Sequence, residues 1–121
     1  MAAKSKNAEW LSLLEKADQA GQEAVKAATV TPIVVEDSLS GQSWFVADGL
    51  CGFAWVRFPG NTAFGRFCKA EGIARPGYPT GLNIWVKQFG QSVAKKEAYA
   101  QAFAAVLREA GVQAFAESRL D

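Results

Sequence analysis

The amino-acid sequence predicts an α/β (α+β) domain, built as a two-layer sandwich in which helices cover one face of a mixed β-sheet. Its size and composition indicate one globular domain, because the chain has 121 residues, of which 50% are hydrophobic and 21% are charged. Strand-like and helix-like segments alternate towards the C-terminus, which favours helices packed on a sheet. An amphipathic segment near the N-terminus adds a further helix.

The N-terminal region is predicted to be this helix. Residues 1–6 are expected to be flexible, and residues 7–28 to form an amphipathic helix with Asn7 as its N-cap. Its apolar stripe, which starts at Trp10, is expected to pack on the single α/β domain formed by residues 29–121. Docking on a second copy of the chain is the alternative.

Strands are predicted in the region that follows. The β-branched run Ile33–Val35 comes directly after a proline and is expected to be a short edge strand, followed by a polar loop. Trp44–Val46 and Phe53–Phe58 have the composition of strands and flank Asp48-Gly49, a dipeptide that favours hairpin turns. We therefore expect these two strands to form a hairpin.

A short helix and a loop come next. Thr62–Glu71 is predicted to be helical, with Asn61 or Thr62 as its N-cap and Gly72 at its end. The following segment 74–81 contains two prolines and two glycines, which predicts an exposed loop.

The C-terminal part is predicted to contain a strand at Leu82–Phe89, a long helix at Val93–Ala110 that ends before Gly111, and a last strand at Val112–Glu117. Ser92 precedes the helix within Gly-Gln-Ser-Val-Ala, a sequence similar to the nucleophile elbow of hydrolases. A nucleophilic serine needs a base, and the chain has no histidine to supply one. Ser92 is therefore predicted to be the N-cap of the helix.

The composition argues against several classes of function. Without histidine, Cys51 and Cys68 cannot complete a zinc site, so neither a metal nor a cofactor is expected and both thiols are predicted to be reduced. Gly60–Phe67 has the glycine spacing of a phosphate-binding P-loop, but Arg66 and Phe67 replace the lysine and the hydroxyl residue that nucleotide hydrolysis needs. We expect no enzymatic activity. The apolar runs are short and no export signal is present, which predicts a cytoplasmic protein without a membrane partner.

Charge and alternation indicate a binding surface in the middle of the chain. Residues 49–96 carry seven basic residues and one acidic residue, whereas the flanking parts are acidic. In Phe53–Phe58 and Leu82–Phe89, aliphatic side chains alternate with aromatic, basic and amide side chains, so one sheet face should carry rings and cations. Bases stack on such surfaces while the cations neutralise phosphates. The predicted ligand-binding residues are Phe53, Trp55, Arg57, Arg66, Arg75, Tyr78, Asn83, Trp85 and Lys87.

Two resemblances extend this interpretation. Gly52–Phe58 is similar to the first ribonucleoprotein motif of RNA-recognition domains, and Ile84–Lys87 looks like the second, in reversed order. A larger part of the chain resembles a group of small uncharacterised proteins of tailed bacteriophages. The segments that carry this second resemblance are Cys51–Val56, Ile84–Val86, Lys96–Ala100 and Ser118–Asp121. It implies expression inside an infected bacterium.

The sequence leaves two functional hypotheses open. In the first, the chain is a non-enzymatic phage-type binding protein whose basic aromatic sheet face binds single-stranded nucleic acid or a nucleotide-like anion. In the second, it is an interaction or virion protein, and the same Trp-rich face docks on a host or phage protein. A homo-oligomer is compatible with both. A covering layer on that face, from the N-terminal helix or a second subunit, is the structural alternative.

Overall fold

The computed structural model describes residues 2–28, 33–36, 43–46, 50–77, 80–90 and 92–120. The described helices are α1 (Ala2–Ala27), α2 (Ala63–Ala70) and α3 (Val93–Glu109). The described strands are β1 (Ile33–Glu36), β2 (Ser43–Val46), β3 (Gly52–Phe58), β4 (Arg75–Pro76), β5 (Leu82–Trp85) and β6 (Phe115–Leu120). This arrangement confirms the predicted α+β class with an N-terminal helix.

The main sheet has the strand order β4-β5-β3-β6, and its neighbouring strands are antiparallel. The sequence analysis expected a mixed sheet, and this detail is wrong. α3 does connect two strands that run in the same direction, β5 and β6, but β3 lies between them and runs the opposite way. The helical crossover therefore passes over a strand instead of joining parallel neighbours.

The predicted hairpin between β2 and β3 does not form. β2 pairs with β1 in a separate antiparallel sheet, with Ile33 opposite Val46. β3 lies in the main sheet between β5 and β6. A strand has two edges, and both edges of β3 are occupied by strands that come later in the chain. The turn dipeptide Asp48-Gly49 lies outside the described residues.

The caps of α2 and α3 are as predicted. The Thr62 hydroxyl oxygen accepts a hydrogen bond at 3.0 Å from the backbone N–H three residues later. The Ser92 hydroxyl oxygen does the same at 3.3 Å. Gly72 and Gly111 follow the two helices with φ angles of 71° and 92°, a conformation that glycine adopts without steric cost and that ends a helix.

Three elements differ from their predicted bounds by more than one residue. α1 begins at Ala2, so Asn7 lies inside the helix and is not its N-cap; alanine and lysine, which precede it, are strong helix formers. β5 ends at Trp85, and the chain then turns towards α3 through Phe89 and Gly90, which have φ angles of 73° and 59°. β6 begins and ends three residues later than expected.

The core lies between the main sheet and the helices. β3 directs Ala54, Val56 and Phe58 into it, each at most 2% exposed. α2 and α3 contribute Phe64, Phe67, Cys68, Tyr99, Ala100, Phe103, Ala104 and Leu107. Cys68 and the exposed Cys51 are both free, and burial raises the pKa of the Cys68 thiol to about 12.

α1 packs against α3 and belongs to the helical layer. A β-carbon at Gly21 would come within 2.5 Å of the Tyr99 ring, so glycine permits the close approach of the two helices. The Tyr99 hydroxyl donates a hydrogen bond to the Asp18 carboxylate, and burial, reinforced by this bond, raises the pKa of Tyr99. Trp10 packs edge-on against Phe64, with ring centroids 5.5 Å apart. The hypothesis that α1 covers the Trp-bearing sheet face is therefore wrong. Within the described residues, no helix has both the length and the apolar character needed to cross a membrane.

Candidate functional site: an aromatic sheet face

The odd-numbered residues of β3 lie on the sheet face opposite to the helices. They are half-buried, whereas their even-numbered neighbours are in the core. Antiparallel register places residues of β5 and β6 beside them on the same face. We call this surface the aromatic face, and its members are Phe53, Trp55, Arg57, Asn83, Trp85, Phe115, Glu117 and Arg119.

Two tryptophans form the centre of the aromatic face. Trp55 lies directly opposite Trp85. Because the Val86 N–H donates to the Ala54 carbonyl oxygen at 3.0 Å, the backbone groups of Ala54 point to β5 and those of Trp55 point away from it. Trp55 and Trp85 are therefore a non-hydrogen-bonded pair, the kind whose side chains are closest. Their ring centroids are 4.7 Å apart with an interplanar angle of 39°, and Phe53 meets Trp85 edge-on at 6.5 Å.

Glu117 fixes this arrangement from β6. Its carboxylate accepts a hydrogen bond of 2.9 Å from the Trp55 indole N–H and lies 3.5 Å from Nη1 of Arg57. Arg57 also donates to the carbonyl oxygen of Thr80. Glu117 thus contacts both the indole and the guanidinium group. It was not predicted from the sequence, because the pairing of β6 with β3 is not evident from either strand alone.

Two cations flank the ring of Phe53. The Arg119 guanidinium and the Lys96 ammonium each lie 5.3 Å from its centroid, within the range of cation–π attraction. Lys96 comes from α3, is buried, and donates to the Gly52 carbonyl oxygen at 3.1 Å. Arg119 is exposed at the sheet edge. Neither residue was among the predicted ligand-binding residues.

The structure brings together five of the predicted ligand-binding residues on one face, namely Phe53, Trp55, Arg57, Asn83 and Trp85. Arg75 of the edge strand β4 extends the same row, since it lies opposite Asn83.

Three predicted residues are not part of this group. Arg66 is on α2, in the helical layer, where its guanidinium donates to the Asn61 carbonyl oxygen at 3.1 Å. Lys87 is exposed beyond the end of β5, because the predicted strand stops at Trp85. Tyr78 lies outside the described residues.

Asn83 has an unusual environment for a residue expected to contact a ligand. It is 7% exposed, and its buried side-chain oxygen has no hydrogen-bond partner among the described residues. A β-carbon at Gly77 would come within 2.9 Å of that oxygen, so the backbone at Gly77 lies close to the amide. The side-chain oxygen of Asn83 is therefore not accessible to a ligand in this conformation.

A cleft of about 490 Å³ adjoins the aromatic face at the end of β3. Arg57 and Phe115 belong to both, and Phe115 is 59% exposed. The amide side chains Asn61 and Gln113 lie on the same cleft. The cleft was not predicted from the sequence, because its lining residues come from separate parts of the chain, at 57–61, 80–81, 113 and 115.

The aromatic face thus combines stacked rings with cations, and its one carboxylate is paired with Arg57. Rings of this kind can stack with planar ligands, and guanidinium groups can bind phosphate oxygens. Among the described residues, no group of three Cys, Asp or Glu side chains could hold a metal ion. No protein-family model, no curated protein and no solved structure matches the chain.

Proposed function

We propose that the protein is a non-enzymatic binding protein for single-stranded nucleic acid, with the aromatic face as its binding surface. The observation that carries this proposal is the cluster of Phe53, Trp55 and Trp85 on a sheet face that lies opposite to the helices. Sheet faces with exposed rings are a recurrent platform for unpaired bases, whose own rings are free to stack.

The rings are held in place before a ligand arrives. Trp55 is anchored through its indole N–H to Glu117, and the ring of Phe53 is in contact with two cations, Lys96 and Arg119. A side chain that is already ordered loses little conformational entropy on binding, so more of the stacking energy is retained as affinity.

The arrangement of charge supports a strand over a free nucleotide. The guanidinium groups of Arg75, Arg57 and Arg119 belong to three different strands, β4, β3 and β6, so they are spread across the sheet. A polyanionic strand that crosses the sheet can meet all of them, whereas one nucleotide phosphate cannot. The cleft beside Phe115 has room for a further nucleotide at the end of β3, since small-ligand pockets are typically about 300 to 1,000 Å³.

Fluorescence titration tests the proposal directly. Single-stranded DNA and RNA oligonucleotides of mixed sequence are expected to quench the tryptophan fluorescence of the full chain, and affinity should fall steeply with salt. Trp85→Ala should weaken binding about 10- to 100-fold, because one stacked base is lost. Trp10→Phe is the matched control: it changes a tryptophan of the helical layer and should leave affinity unchanged.

Two outcomes contradict the proposal. One is the absence of quenching by every oligonucleotide at low salt. The other is binding that Trp85→Ala and Trp10→Phe affect equally. If Trp85→Ala loses its secondary structure by circular dichroism, Arg119→Ala decides the question, since it should reduce the salt slope by about 0.7. Binding of a protein partner with little salt dependence would instead support the interaction-protein hypothesis.

A further inference from the structure

The two edges of the main sheet differ in how they are protected. β4 is only two residues long and contains Pro76, both of which hinder pairing with another strand. β6 at the other edge has six residues, contains neither proline nor glycine, and pairs with β3 on one side. Two large apolar side chains of β6, Phe115 and Leu120, are 59% and 61% exposed. Among the described strands none pairs with the outer edge of β6, and a strand edge of this length can pair with a further strand.

The orientation of the β6 backbone follows from the hydrogen bonds of β3. The backbone N–H and C=O groups of Ala54 point to β5, so those of Trp55 point to β6. Glu117 lies opposite Trp55, and its backbone groups therefore point to β3. The alternate residues of β6, which include Ala116 and Ser118, therefore direct their N–H and C=O groups away from the sheet.

We propose that two copies of the chain pair through β6, antiparallel and across a twofold axis at Ser118. In this register, Ser118 meets Ser118 of the partner subunit as a hydrogen-bonded pair, which uses the outward backbone groups. Glu117 then lies opposite Arg119 of the partner subunit in a non-hydrogen-bonded pair, where side chains are closest. The same contact repeats on the other side of the axis, so the edge is complementary to itself in charge.

The neighbouring register is less favourable. A twofold axis at Glu117 would place that carboxylate opposite its own copy, and like charges directly opposite each other are destabilising. Of these two registers, the spacing of one acidic and one basic residue two positions apart favours the one centred on Ser118.

Such a dimer would form one continuous sheet in which both aromatic faces point to the same side, because the twofold axis is perpendicular to the sheet. Arg119 would then lie near the junction of the two faces. The pairing itself does not depend on what the aromatic face binds.

The molar mass of the full-length protein, measured by light scattering during size-exclusion chromatography, tests this proposal. The wild-type chain should be a dimer. Ser118→Pro removes an outward N–H that β3 does not use and should give a monomer, whereas Ser118→Ala keeps that N–H and should remain a dimer. Ser118→Ala also controls for the lost hydrogen bond of 3.0 Å from the Ser118 hydroxyl to Glu97.

Charge reversal provides a second measurement. Arg119→Glu places carboxylates opposite each other at both symmetric contacts and should raise the dimer dissociation constant at least about tenfold. This variant decides the question if Ser118→Pro does not fold by circular dichroism. A monomeric wild-type chain at the highest soluble concentration, or an Arg119→Glu variant that dimerises as the wild type does, would overturn the proposal.

Discussion

Under the proposed function, replacing Glu117 with glutamine is expected to strengthen the binding of single-stranded nucleic acid. The Glu117 carboxylate lies 3.5 Å from the Arg57 guanidinium and accepts the Trp55 indole N–H at 2.9 Å. A glutamine side chain has nearly the same shape, and its amide oxygen still accepts the indole N–H. The substitution therefore keeps the ring in place while it removes the negative charge that opposes a phosphate near Arg57.

The size of the gain follows from counterion release. Each phosphate neutralised on a single strand contributes about 0.7 to the slope of log affinity against log salt. One additional contact, compared between about 1 M and about 0.1 M salt, is therefore worth about 0.7 decades, or about fivefold in affinity. The Arg57 and Glu117 side chains are 27% and 41% exposed, and solvent-exposed ion pairs contribute only about 0 to 1 kcal/mol to stability. The variant should therefore remain folded.

Titration of an oligonucleotide at several salt concentrations measures both quantities at once. Glu23→Gln is the matched control, because Glu23 is exposed on α1, in the helical layer, and its substitution makes the same change in net charge. The reasoning is refuted if Glu117→Gln has the affinity and salt slope of the wild type. It is also refuted if Glu23→Gln produces an equal gain, since the effect would then come from net charge alone.

The remaining predictions concern stability and thiol chemistry. Ser92→Ala should lower the free energy of unfolding by about 1 kcal/mol through loss of the α3 cap, whereas the exposed Ser12→Ala should change it little; equal effects in urea denaturation would contradict the capping role. Ser92→Asp is a poor control, because Ser92 is fully buried and a carboxylate there is costly. A thiol reagent should modify Cys51 in the native protein and Cys68 only after denaturation; a disulfide, seen as a mass lower by two hydrogens, would refute this. Burial raises the pKa of Cys68 from 9.0 to about 12. Below pH 9 the thiol is protonated in both the folded and the unfolded chain, so its contribution to stability is fully present there. The free energy of unfolding should fall above that pH by up to about 1.4 kcal/mol per pH unit. The slope should be shallower in Cys68→Ala, and an identical slope would count against burial of the thiol.

The parts of the fold that were predicted correctly depend on local interactions. Thr62 and Ser92 cap their helices through N–H groups three residues away, and such contacts are fixed by short sequence patterns. The pairing of β3 depends instead on the relative stability of contacts with distant strands. The turn-forming Asp48-Gly49 favoured β2 as its neighbour, but both edges of β3 pair with strands that come later in the chain.

In the candidate site too, features that depend on local patterns were predicted and those that depend on contacts between distant segments were missed. Alternation along two strands was enough to place Trp55 and Trp85 on one face, and the structure has them as direct neighbours. Glu117 and Arg119 were missed because the register between β3 and β6 cannot be predicted from the sequence of either strand alone. Arg66 was included on charge, although α2 carries it in the helical layer; the sign of a charge does not tell on which side of a sheet a helix packs.

The position of Lys96 has a consequence for how the electrostatics of the aromatic face respond to solvent. Its ammonium group is buried between the Gly52 carbonyl and the ring of Phe53, out of reach of mobile ions. At physiological ionic strength the Debye length is about 8 Å in water, but buried charges are screened much less. Lys96 therefore supplies a constant positive potential beneath the face that added salt barely reduces. Under the proposed function, the number of contributing cations derived from the salt dependence of affinity would be too low, because this buried charge would attract a bound strand without releasing counterions.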